Sequence, residues 1–188
     1  DLSGNLLLTG DAKANNINLN YDTTLGAYIL SGLNTTINGG VASVNLNTLL
    51  GATFNGNIIA NLGGGNDVVA ITGASGNSGA NLNAVTVNTG LGNDSVTLNG
   101  LTIANDVVVA GSAGDDSISV TNVTAAGNAS IAAGAGNDTV TVDTLSAGGS
   151  AGMTIDGGAG NDNVSVNAAT STAAGMNISA GVGRDRIN

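Results

Sequence analysis

Six aspartates recur at near-constant intervals: Asp67, Asp94, Asp116, Asp138, Asp162 and Asp185, separated by 27, 22, 22, 24 and 23 residues. Each is the sixth residue of a glycine-rich turn. The best-preserved copy reads Gly157-Gly158-Ala159-Gly160-Asn161-Asp162; the other five keep the glycine at the fourth place and the aspartate at the sixth. Carboxylates gathered at turns, in a chain with 13 acidic residues, all Asp, and only Lys13, Arg184 and Arg186 as cations, suit a hard cation. The same residues also suit a plain corner, because Asn and Asp tolerate left-handed backbone and bond their own main chain. An Asn would serve a bare corner equally well, yet all six turns carry Asp. Both readings stand at this point.

Other chemistry finds little support. There is no His, Cys or Glu and a single Lys. Asp115 and Asp116 are the only adjacent acids, and neighbours on a strand point to opposite faces, so they make a poor acid–base dyad. We expect no enzyme. A net charge of −10 without a basic patch argues against nucleic acid. It also argues against anionic membranes, and no apolar run is long enough to cross a bilayer. Without Cys there are no disulfides or thiolate metal sites.

The elements that must position the aspartates repeat with them. After each of the first five anchors the chain alternates polar and apolar: Val69 and Ile71, Val96 and Leu98, Ile118 and Val120, Val140 and Val142, Val164 and Val166. That is one face of a strand. Three residues on stands Leu101, Val123, Leu145 or Ala169. After a segment of variable length comes a second alternating pair: Val85 and Val87, Val107 and Val109, Ala129 and Ile131, Met153 and Ile155, Met176 and Ile178. The N-terminal third is looser. Ile17 and Leu19, then Val44 and Leu46, read as the same strand, with Asn15 and Ala42 in the place of the aspartate.

A unit of 22–27 residues cannot bury its apolar face alone but can when stacked on its neighbours. The expected fold is all-β: a right-handed parallel β-helix, or β-solenoid, of about eight coils, roughly 40 Å long at the strand spacing. It forms one domain over residues 1–188, with degenerate coils at 1–60 and coils with Gly/Asp turns at 61–188, and reads as an excerpt of a longer repeat protein. No cap is evident at either end. A narrow interior explains the absence of Trp, and ladder bonding explains the absence of Pro.

The turn matches G-G-x-G-x-D-x-U-x and resembles the nonapeptide of the repeats-in-toxin family. The match is complete at Gly157, Gly158, Gly160, Asp162 and Val164. The resemblance implies Ca²⁺ as cofactor, held between neighbouring turns by Asp67, Asp94, Asp116, Asp138, Asp162 and Asp185, with Arg184 weakening the last site. It covers the turns and first strands only. The family's turns follow one another every nine residues, whereas here one occurs per coil, which resembles long-period microbial surface repeats.

These readings together imply an extracellular or cell-surface segment of a stalk, surface layer or fibre, with neighbouring repeats, copies of itself and cell-surface glycans as partners. The alternatives are a calcium-dependent folding or secretion module of an exoprotein and a carbohydrate- or ice-binding solenoid. Against the last two, aromatics are few and the outward Thr97, Thr139 and Thr141 alternate with Ala70, Ser119, Asn163 and Ser165. Asn34, Asn93, Asn122, Asn128, Asn137, Asn163 and Asn177 fit the N-glycosylation pattern, at about the frequency this composition yields by accident.

Overall fold

The computed structural model describes residues 4–32, 43–74 and 81–188. Two stacks of parallel strands enclose one apolar core. The first runs β1 (Asn5–Thr9), β5 (Asn57–Asn61), β7 (Val85–Leu91), β10 (Val107–Ala113), β12 (Ala129–Ala135), β14 (Met153–Ala159) and β17 (Met176–Ser179). The second runs β2 (Asn16–Asp22), β6 (Val68–Thr72), β8 (Ser95–Asn99), β11 (Ser117–Ala125), β13 (Thr139–Ala147), β15 (Asn163–Asn167) and β18 (Arg186–Ile187). Short strands β9 (Thr102–Ile103) and β16 (Thr170–Ser171) pair with the far ends of β11 and β13. The chain is a parallel β-solenoid.

Each apolar residue stacks on its equivalent one coil away. Val85, Val107, Ala129 and Met153 are in register, as are Val96, Ile118, Val140 and Val164. All eight are buried. β-Branched side chains suit these stacks because they pack well on a pleated surface and restrict few further rotamers there. Leu101, Val123 and Leu145 fill the interior beyond a bend at Gly100, Asn122, Thr144 and Ala168. These four bend residues have φ of +66°, +53°, +56° and +51°.

The Gly/Asp corner joins the two stacks on one side. Its fourth-place glycine is required twice over. Gly92, Gly114, Gly136 and Gly160 have φ between +126° and +146°, a region L side chains avoid. A Cβ on any of them would also strike the carbonyl oxygen of the equivalent glycine one coil earlier.

Each stack holds seven parallel strands among the described residues, one fewer than the eight coils expected for the whole chain. The N-terminal third accounts for the shortfall. Ile17 and Leu19 do pair in parallel with Val69 and Ile71. Val44 and Leu46, however, form no coil strand. After β2 the chain doubles back as β3 (Ala27–Gly32), antiparallel to β2. It doubles back again as β4 (Ser43–Asn45), antiparallel to β3, and ends in a single helical turn, α1 (Leu46–Leu50). Asp22 accepts hydrogen bonds from the Thr24 and Leu25 amides, and Gly26 takes φ +61°, so the chain reverses before it can cross over. Asn45 caps α1 by accepting from the Thr48 amide at 3.1 Å. Ala42 and Asn34 lie outside the described residues. This segment is also a cap, where none was expected. Tyr21, Tyr28 and Phe54, the chain's only aromatics, pack edge to face with ring centres 5.1 and 6.4 Å apart and close the end of the core with Leu46.

Candidate functional site

In each corner the strand of the first stack ends, the glycine turns the backbone, and the fifth residue faces solvent while the sixth faces in. Asp115 is exposed and Asp116 is 3 % exposed, so the two adjacent acids are on opposite sides of the wall. Asp67, Asp94, Asp138 and Asp162 are equally buried; Asp185, in the last coil, is only partly so. The solenoid thus brings all six aspartates into one column along its edge.

The column is tied together by its own main chain. The amide of Asp67 donates to Asp94 Oδ1 at 2.7 Å, Asp94 to Asp116 at 2.8 Å, and Asp116 to Asp138 at 2.7 Å. Asp138 donates to Asp162 at 2.8 Å, and Asp162 to Asp185 at 3.0 Å. Asn15, the residue in the aspartate's place one coil earlier, donates its amide to Asp67 Oδ1 at 2.6 Å and continues the pattern. One carboxylate oxygen of each aspartate therefore satisfies the amide of the coil before it.

The other oxygen has no partner. Oδ2 of Asp67, Asp94, Asp116, Asp138 and Asp162 is buried and accepts no hydrogen bond. A Cβ placed on Gly111 would collide with both Asp116 Oδ2 and the Ala133 carbonyl oxygen, so a carboxylate and a main-chain oxygen converge there and only a glycine leaves them room. Burial raises the Asp116 carboxyl from its ordinary 3.8 to about 6, helped by the negative charges of Asp94, Asp138 and Asp115 and opposed by the Asp94 amide. Burial likewise raises Asp67 and Asp138. An ionised, buried oxygen without a donor is costly and is satisfied by either a proton or a cation.

The donor set fits a hard cation, since it consists wholly of carboxylate and carbonyl oxygens. Among the described residues no three acidic side chains gather to share one ion. A cation in this column would therefore rest between two neighbouring aspartates and main-chain carbonyls.

Two further columns flank the aspartates. On the outside of the same corner, Asn66, Asn93, Asp115, Asn137 and Asn161 each accept from the next coil's amide, the last from Arg184. On the opposite edge Asn57 donates to Asn5, Asn83 to Asn57 and Asn105 to Asn83 through their side-chain amides, at 2.6, 2.7 and 2.7 Å. Sequence reasoning missed this second ladder. Asn57 stands one residue before its inward strand residue, whereas Asn83 and Asn105 stand two before theirs, so no constant offset betrays it. Comparison with protein-family models, with curated proteins and with solved structures returns no match.

Proposed function

We propose that the chain is a non-enzymatic, extracellular structural segment of a microbial surface protein, a rod stiffened by Ca²⁺ held between successive turn aspartates. The observation that carries this reading is the column of five buried carboxylates with one unpartnered oxygen each. The pairs Asp67/Asp94, Asp94/Asp116, Asp116/Asp138, Asp138/Asp162 and Asp162/Asp185 would hold the ions, which would supply the positive charge that the column lacks. Millimolar extracellular Ca²⁺ suits weak modular sites of this kind. The acidic, cysteine-free composition and the repeated shape support a stalk, surface-layer or fibre role.

The same turns favour a calcium-dependent secretion module as second reading. The hydrogen bonds that the aspartate amides donate to the next coil's carboxylates weigh toward the rod, because they stabilise the stack before any ion binds. Thermal unfolding in millimolar Ca²⁺ and in EDTA tests the proposal. Ligand binding to the folded state alone adds stability as RT ln(1 + [L]/Kd) per site. The melting temperature is expected to rise with Ca²⁺ and not with equal ionic strength of Na⁺. Equal melting in Ca²⁺ and EDTA leaves the turns as corners only. A chain unfolded in EDTA points to the secretion module.

A further inference from the structure

The Asn-x-Ser/Thr triplets take no part in the aspartate column, and the fold sorts them. Four are tied to neighbouring coils through the asparagine side chain. Asn93 Oδ1 accepts from the Asp115 amide. Asn137 donates from Nδ2 to Asp115 and accepts from the Asn161 amide. Asn128 donates from Nδ2 to Asp106 and accepts from the Ala151 amide. Asn163 accepts from the Asn188 side chain. A fifth, Asn177, lies within the extended strand β17 rather than at a turn.

Asn122 differs from all of these. It stands at the bend inside β11 with φ +53°. Thr121 pairs with Asp143 and Val123 with Leu145, while Asn122 is left out of the ladder. Asn122 and Thr124 are both exposed, on either side of the buried Val123. Among the described residues neither side chain makes a hydrogen bond. One coil earlier the bend carries Gly100, which has no side chain; one coil later it carries Thr144, whose hydroxyl donates to Asp143. The bend itself does not demand asparagine, because Thr144 and Ala168 adopt it too.

We infer that Asn122 is an acceptor site for an N-linked oligosaccharide, with Thr124 supplying the hydroxyl of the acceptor triplet. Use of the site in the cell rests on the extracellular reading given above. The donor is an oligosaccharide carried on a lipid diphosphate. In the transfer, Asn122 Nδ2 bonds to C1 of the first sugar and the bond from C1 to the diphosphate oxygen breaks. Nδ2 gives one proton to a base of the transferase, and the lipid diphosphate leaves with the bonding electrons. Nothing is oxidised or reduced. A glycan at Asn122 projects from the outer wall, disturbs no hydrogen bond and leaves Val123 in the core. At Asn93, Asn128, Asn137 and Asn163 it would hang from a side chain already bonded to the neighbouring coil, so its first sugar would crowd that coil.

The test secretes the full chain from a eukaryotic cell that glycosylates Asn-x-Ser/Thr. The chain carries Asn34→Gln, because that triplet lies outside the described residues. Occupied asparagines are mapped by glycopeptide mass spectrometry on the folded, protease-resistant fraction. Asn122 is expected to be occupied in most chains. Thr124→Ala is expected to lose that glycan while melting as the parent does, and Thr124→Ser to regain it. An unoccupied Asn122 overturns the inference. So does occupancy of Asn93, Asn128, Asn137 or Asn163 at or above that of Asn122. The assay supplies the secretory route and needs no Ca²⁺, so failure of the calcium rod and failure of the glycan site are separate results.

Discussion

Asp116 shows how much one oxygen decides. Its Oδ1 is committed to the Asp94 amide and its Oδ2 to nothing. Asp116→Asn keeps the acceptor and replaces the orphan oxygen with a donor that faces the Ala133 carbonyl. In EDTA this variant is expected to match or exceed the parent in stability, and in Ca²⁺ to lose part of the gain that the parent shows. Asp116→Ala removes the acceptor as well, leaves the buried Asp94 amide unpaired, and is expected to cost about 1–3 kcal/mol in either condition. Urea unfolding of both variants checks this. The pH dependence follows from the same group. Because its folded pKa is raised to about 6 from 3.8, ionised Asp116 destabilises the fold above pH 6 and ceases to do so below about 4. The metal-free protein is therefore expected to melt higher at pH 4.5 than at pH 7.5, and Asp116→Asn to flatten that difference. With Ca²⁺ present the order should reverse, since the ion needs ionised carboxylates.

At the scale of the element, the corner and the strands were legible in the sequence and the hairpin was not. Alternating pairs such as Val140/Val142 and the glycine-aspartate spacing are local patterns, and a repeat shows them many times over. Val44 and Leu46 satisfy the same local pattern by chance of spacing. What diverts them is the Asp22 turn and the Asn45 cap, which act on the chain's direction rather than on its periodicity. The left-handed bend at Gly100, Asn122, Thr144 and Ala168 was equally hidden, because Gly100 and Asn122 suit it but Thr144 and Ala168 do not. The orphaned Oδ2 could not be read at all, since it depends on which oxygen meets the neighbouring coil. The corner yields a contrast between two glycines. Gly136→Ala forces a side chain onto φ +146° and into the Gly114 carbonyl, and is expected to cost more than about 1 kcal/mol. Gly175 has open space around it and no positive φ, so Gly175→Ala is expected to be neutral or to stabilise by about 0.4–1 kcal/mol through the unfolded chain. Equal effects in thermal melts would mean that the corner does not need its glycine.

For the whole molecule, each coil touches only its neighbours, so stability spreads along the axis as nearest-neighbour terms. The interior coils, β10 to β13, have a partner on both sides, while the C-terminal coil has one. The aromatic cap therefore acts as a terminal lock, and its loss should be felt locally. Tyr28 is fully buried between Tyr21 and Phe54. Tyr28→Ala is expected to cost about 3–5 kcal/mol in its own region, the range for deleting a buried aromatic. The exposed Leu25, by contrast, should tolerate Ala within about 0.5 kcal/mol. Hydrogen exchange resolved by segment separates a local lock from a single cooperative core. In Tyr28→Ala, protection should fall in β2, β3 and β6 while β12 to β15 keep theirs, because several independent interfaces lie between. Protection lost evenly from β2 to β17 would show instead that the solenoid unfolds as one unit, and that the cap holds the whole stack rather than its end.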